Sequence, residues 1–317
     1  IVRSTGQLAT YTGDAVGGLL NATFGNAPEL IIALVALRAG ELEMVRASII
    51  GAILANLLLA LGIAFLIGGI RHHDQNYNRV ASRTYATMML LAAMSLAIPS
   101  AFSRVLAPTE TVRQEAMLNV GVAAALLAIY VLYLVYSLKT HRGSFASEGG
   151  DGGHGHGDDG PRWSLPRALI SLVVASLLAA WMSEVLVGAA DGTGKALGMS
   201  SVFIGIVFLA VVGGAAESGS AIAMGAKNKP DLSISIALGS SIQIALFIAP
   251  VLVFASYFIA PMPLELSFSR AEVGTLFIGV IIGAMVYGDG QANWFKGVQL
   301  ITIYLIIAMM FYFMPGA

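Results

Sequence analysis

The sequence predicts an all-α polytopic membrane protein built as an inverted-topology 5+5 helix repeat, and three observations predict it. Of 317 residues, 57% are hydrophobic and 11% charged, with a mean hydropathy of +0.81, whereas a soluble domain runs about 45–50% apolar and about 25% charged. Apolar stretches long enough to cross a bilayer, about 20 residues each, recur along the chain. A motif around one intramembrane glutamate also returns, in register, around a second. The composition excludes a soluble enzyme and a disordered chain. A formal net charge of −1 leaves no basic footprint for nucleic acid. The chain has no cysteine, which removes disulfides, thiolate metal sites and thiol chemistry.

Nine spans are predicted, at about 13–38, 43–69, 82–103, 115–138, 166–188, 199–226, 232–258, 271–288 and 296–314. No alternating pattern of a membrane β-barrel is present. Small residues within the spans allow close helix packing. Only one connection is long, residues 139–165, where Gly, Asp and His (GGDGGHGHGDDG) make a solvated tether. It divides the chain into a first transmembrane unit (1–138), a linker (139–165) and a second transmembrane unit (166–317). A symmetric 5+5 arrangement calls for one more span before residue 13, and residues 1–12 read as its tail. Lys and Arg divide eleven to six in favour of the linker side, which holds Arg71, Arg79, Arg83, Lys227 and Lys296 among others. The positive-inside rule therefore places the linker in the cytoplasm and the C-terminus on the opposite face.

The repeat appears when Glu29 is laid on Glu217. Ala22, Gly25 and Ala27 then fall on Ala210, Gly213 and Ala215. Gly51 and Gly239 each follow their glutamate by 22 residues and open small-polar segments, GAILANLLLALG and GSSIQIALFIAP. By span count the two copies run in opposite directions, the organisation of many secondary transporters.

Both glutamates fall well inside their spans, where a charge costs about 2.5–3.5 kcal/mol on insertion scales and calls for a function. Around Glu29, the segment FGNAPE places Gly25 and Pro28 where they interrupt a helix, and Pro28 is expected to free the carbonyl of Phe24. Around Glu217, Gly213 and Gly214 are expected to loosen the second helix. Freed carbonyls are tolerated at membrane depth where they line a polar cavity. Asn26, Asn56, Ser240, Ser241 and Gln243 add neutral oxygens. The result is an all-oxygen site with two negative charges, suited to a hard divalent cation such as Ca2+. All five histidines lie in loops, which disfavours zinc or copper. A divalent ion and about two protons are expected to compete for the same oxygens, because two unneutralised charges in a poorly solvated cavity are costly.

NATFGNAPELIIA at 21–33 closely resembles the first α-repeat of the Ca2+/H+ antiporter (CAX) branch of the cation/Ca2+ exchanger superfamily. GGAAES with the following GSSIQIALFIAP resembles its second. The resemblance runs from about Leu8 to the last span. It implies alternating access, with Ca2+ as transported substrate rather than cofactor and protons as the exchanged ion. It maps the family's paired acids onto Glu29 and Glu217, the metal-binding residues, and its flanking polar positions onto Asn26, Ser240 and Gln243. There are departures. Gly214 and Ser218 replace the Asn and His frequent in the second repeat, and Ala52 and Ala55 stand where the family often has Ser. Gly6 replaces an acid whose second-half counterpart, Glu184, remains as a secondary cation or proton residue.

Other readings are weaker. A Na+/Ca2+ exchanger, or an exchanger of another divalent ion, shares the scaffold, but SSIQIALF carries Gln243 and no Asp, which favours protons over sodium. A passive channel leaves the inverted repeat with one carboxylate per copy unexplained. An intramembrane aspartyl protease would need a partner for Asp289 of VYGDGQ, and no second span centre carries an Asp. The expected protein is a membrane antiporter and not an enzyme, in contact with Ca2+, protons and the lipid bilayer, not with nucleic acid. A homo-oligomer is compatible with the sequence.

Overall fold

The computed structural model describes Ser4, Gln7, Leu8 and Tyr11, and residues 25–102, 112–140 and 163–314. Through the three long stretches run α1 (Ala27–Arg38), α2 (Leu42–His72), α3 (Arg79–Ala101), α4 (Val112–Val135, continued as a π turn over Tyr136–Thr140), α5 (Leu165–Leu197), α6 (Ser201–Gly213), α7 (Ala215–Ala226), α8 (Pro230–Ile259), α9 (Arg270–Tyr287) and α10 (Trp294–Phe313). Two short strands, β1 (Gln75–Asn76) and β2 (Gln291–Ala292), complete the described elements. Of these helices α2–α5 and α8–α10 are each long and apolar enough to cross a membrane. The pair α6 and α7 passes the same test together, but it is bent by 60°.

That bend falls within the predicted span 199–226, at Gly213 and Gly214, where the helix is expected to loosen. The predicted span 13–38 is described from Gly25 onward, and its helix begins at Ala27. The linker is helical at its edges, to Thr140 and from Leu165. Its HGHGDD segment lies outside the described residues.

Helix starts follow local chemistry. Asn78 caps α3 by accepting from the N–H groups of Val80 and Ala81. Ser269 and Glu272 form a capping box on α9, and Asn293 accepts from Lys296 N–H at the start of α10. Each satisfies backbone donors that a helix leaves open at its first turn.

The repeat is visible in the backbone. The shift of 188 residues (217 − 29) carries α1 onto α7, both 12 residues long, and carries the start of α2 at Leu42 onto the start of α8 at Pro230. Both long helices contain a π turn, Ala55–Ala60 in α2 and Ile244–Ile248 in α8, and the same shift superimposes these turns. These two helices are the pillars: 83% of the apolar window of α2 and 61% of that of α8 are buried, against 11% for α5. α5 therefore has most of its surface exposed.

At one end, β1 pairs antiparallel with β2, so the loops of the two halves close on each other. At the other, residues 261–269 form an extended strap with Leu264, Leu266 and Phe268 buried. Asn119 of α4 holds the strap by donating to Leu264 O at 2.8 Å and accepting from Leu266 N–H at 2.9 Å.

α2 and α6 touch backbone to backbone. A methyl group on Gly51 would sit 2.3 Å from the Ile206 carbonyl oxygen, while one on its repeat equivalent Gly239 would meet nothing within 4 Å. Glycine at 51 is thus a packing requirement. Gly51→Ala is expected to destabilise the protein by about 1–3 kcal/mol or more through overpacking, read as a lower melting temperature in detergent, while Gly239→Ala leaves it unchanged. Equal losses at both positions would contradict this contact.

Candidate functional site

The site forms where two helices begin. Pro28 stands in the first turn of α1, where a missing N–H costs nothing, and Gly214 is the corner from which α7 starts. Each helix carries its glutamate, Glu29 or Glu217, in that first turn. The open N–H groups of a helix start form a positive end that favours a carboxylate. Pro28 lies in the first turn of the described helix, and Phe24, whose carbonyl it is expected to free, lies outside the described residues. Gly25 is half-buried in the turn before α1.

Glu29 and Glu217 are 8% and 6% exposed and lie within interaction range of each other. The side chain of Glu29 crosses the corner between α6 and α7. A Cβ built on Gly213 would lie 3.4 Å from Glu29 Cγ, and one on Gly214 would lie 3.7 Å from both Glu29 Oε1 and Asn56 Oδ1. Gly214 has φ −81° and ψ 11°, which other residues adopt readily. Glycine at this corner serves space rather than backbone freedom.

At this site side-chain hydrogen bonds join the two halves. Asn26 Nδ2 donates to Gln243 Oε1 at 2.7 Å, and Ser218 Oγ donates to Asn56 Oδ1 at 3.5 Å. Asn56 lies inside the π turn of α2 and Gln243 immediately before that of α8; such turns recur at functional sites. Asn26 makes no side-chain cap bond to its own helix, which leaves it for this contact.

Both oxygens of Glu29, both oxygens of Glu217 and Oδ1 of Asn26 are buried and accept no hydrogen bond among the described residues. Asn56 Nδ2 likewise donates none. Buried polar atoms are normally paired, and an unpaired buried charge is especially costly. The cluster thus offers five unclaimed acceptor oxygens and two carboxyl groups, a donor set suited to a hard cation or to protons. Among the described residues no group of three or more His, Cys, Asp or Glu occurs, so the charge here comes from two carboxyls alone.

The other expected residues divide. Ser240 is buried on α8, one turn before Gln243. Ser241 is buried too, but its hydroxyl donates to Ala237 O at 2.9 Å and turns into its own helix. Glu184 stands exposed on α5, outside the buried cluster. Asp289 sits in the turn after α9, paired with Lys296 at 2.5 Å. Ser218 was legible only as a departure from the motif, and its contact with Asn56 requires the fold. A further signal was available: Leu30 is its apolar counterpart in the first repeat.

The chain matches the family model described as sodium/calcium exchanger protein over residues 1–139 and 167–313. It is 37% identical over 326 residues to the Ca2+/H+ antiporter of Aphanothece halophytica, covering 98% of this chain and 86% of that protein. Over 311 residues it is 37% identical to the Ca2+/H+ antiporter ChaA of Bacillus subtilis (strain 168), covering 98% and 87%. It superimposes on the solved structure of native YfkE with a TM-score of 0.82 and 33% identity, over 99% of this chain and 88% of that one.

The Asn26–Gln243 contact is testable alone. In a double-mutant cycle of Asn26→Ala and Gln243→Ala, a coupling of about 1 kcal/mol in stability is expected, the net worth of one buried hydrogen bond. Strictly additive losses would show that the bond contributes nothing.

Proposed function

The chain belongs to the Ca2+/H+ antiporter branch of the sodium/calcium exchanger protein family, and from that premise we propose that it exchanges Ca2+ for protons across a membrane by alternating access. The observation that carries the reading is the pair of buried glutamates, one from each repeat, whose four oxygens have no donor among the described residues. Glu29 and Glu217 supply the charge. Asn26 Oδ1 supplies a neutral oxygen, Gln243 holds Asn26 in place, and Asn56, Ser218 and Ser240 extend the polar wall.

One Ca2+ or about two protons neutralise the pair, so the loaded carrier is close to neutral in either case. Only neutralised states convert cheaply between inward-facing and outward-facing forms, because an empty, doubly charged site is costly in a poorly solvated cavity. That holds the empty carrier back and prevents leak. The two repeats supply the two facing states by exchanging conformations. The linker is placed in the cytoplasm, so the C-terminus lies opposite. A sodium-coupled exchanger remains the second reading, disfavoured because α8 offers Gln243 where an additional acid would be needed.

Glu29→Gln or Glu217→Gln is expected to abolish proton-driven Ca2+ uptake into proteoliposomes while leaving a folded protein. Wild-type uptake by either folded variant would remove that glutamate from the site. Running the same assay with a panel of divalent ions identifies the preferred cargo.

Competition also sets the pH dependence. As pH falls, protons occupy the carboxyls and apparent Ca2+ affinity falls, with a limiting slope near two protons per ion. As pH rises, the proton-bearing return step starves and turnover declines. Ca2+ binding in detergent between about pH 6 and pH 9, around the neutral range in which a buried carboxyl pair exchanges protons for a cation, measures the first effect. An affinity that does not move with pH would rule out a shared site.

A further inference from the structure

Away from the carboxylates, the end of the molecule that carries the β1–β2 ribbon has a groove between α3 and α9, one helix from each repeat. Its cavity of about 430 Å3 is lined by Arg79, Arg83 and Thr87 of α3, by Ala284 and Met285 of α9, and by Asp289 just beyond α9. Arg79 and Arg83 are exposed and four residues apart, so they share a face of α3. Among the described residues neither guanidinium makes an ion pair or hydrogen bond, and the acid in the lining is already held by Lys296. The groove therefore carries two uncompensated positive charges.

Its depth in the membrane follows from the chain. Arg79 opens the 23-residue span of α3, and the groove closes where α9 ends. At the same end Trp294 and Phe295 are 51% and 55% exposed, and exposed aromatic residues of this kind mark the headgroup level. Below the arginines the wall is apolar and open, with Met285 75% exposed. A soluble anion uses only the charges. A lipid uses both, its phosphate on the arginines and an acyl chain along the wall.

We propose that the α3–α9 groove binds an anionic phospholipid through Arg79 and Arg83. Because its walls belong to different repeats, the bound lipid bridges the two halves. The test measures lipid retained by the full chain after extraction from bilayers of phosphatidylcholine with a minority of phosphatidylglycerol, by mass spectrometry of the intact protein. Wild type is expected to keep phosphatidylglycerol selectively, and R79Q/R83Q to lose about thirtyfold of that selectivity, the scale set by two basic residues at a membrane surface at about 1 kcal/mol each. K227Q/K229Q removes two exposed charges at the same end but outside the groove, and is expected to keep it. A86W fills the groove with both arginines intact and is expected to abolish retention. Unchanged melting temperatures in phosphatidylcholine separate these effects from misfolding. Equal enrichment in wild type and R79Q/R83Q, full retention by A86W, or an equal loss in K227Q/K229Q would overturn the proposal. So would displacement of the lipid by inorganic phosphate alone, which would mark a free-anion site.

Discussion

Two carboxyl groups held close together in buried surroundings, with no donor among the described residues on any of their four oxygens, are the constraint to which the rest of the molecule answers. Such a pair is tolerable only when a cation or protons share its space. In the proposed exchanger that demand is met by filling and emptying the site. Two helix starts at the site reduce the cost by presenting open N–H groups beside each glutamate. Both begin at the same register of the repeat, Ala27 and Ala215.

Holding two helix starts together inside a membrane needs a scaffold that does not depend on them. α2 and α8 provide it, as the most deeply buried of the long helices. Their π turns lie at equivalent places and carry or adjoin the polar residues of the site. Gly51 brings α6 hard against α2, which sets where the α6–α7 corner falls, and Glu29 lies across that corner.

The backbone is symmetric where the side chains are not. The repeat places Asn26 on Gly214, Ala55 on Gln243 and Asn56 on Ile244. Neutral partners consequently meet across the halves, Asn26 with Gln243 and Ser218 with Asn56. A relative movement of the halves must break these contacts or carry them along. In the proposed mechanism, the filling of the site and the arrangement of the halves are thereby tied to the same few side chains.

The sequence alone determined the membrane class, the order of the spans, the repeat and the two glutamates. Each rests on local information: apolar run length, spacing in one register, and the cost of a charge within an apolar run. Its reading of a helix loosened at Gly213 and Gly214 agrees with the 60° bend between α6 and α7. The tertiary structure alone decided which polar residues join the carboxyls. Ser240 and Ser241 are neighbours of the same chemical type, yet Ser241 bonds its own helix. Glu184 reads from the sequence as a secondary cation or proton residue, and it lies exposed on α5. Ser218 became a partner of Asn56 because two helices from opposite halves cross there. Side-chain direction depends on helix rotation and on what packs opposite, and neither is encoded within a single span.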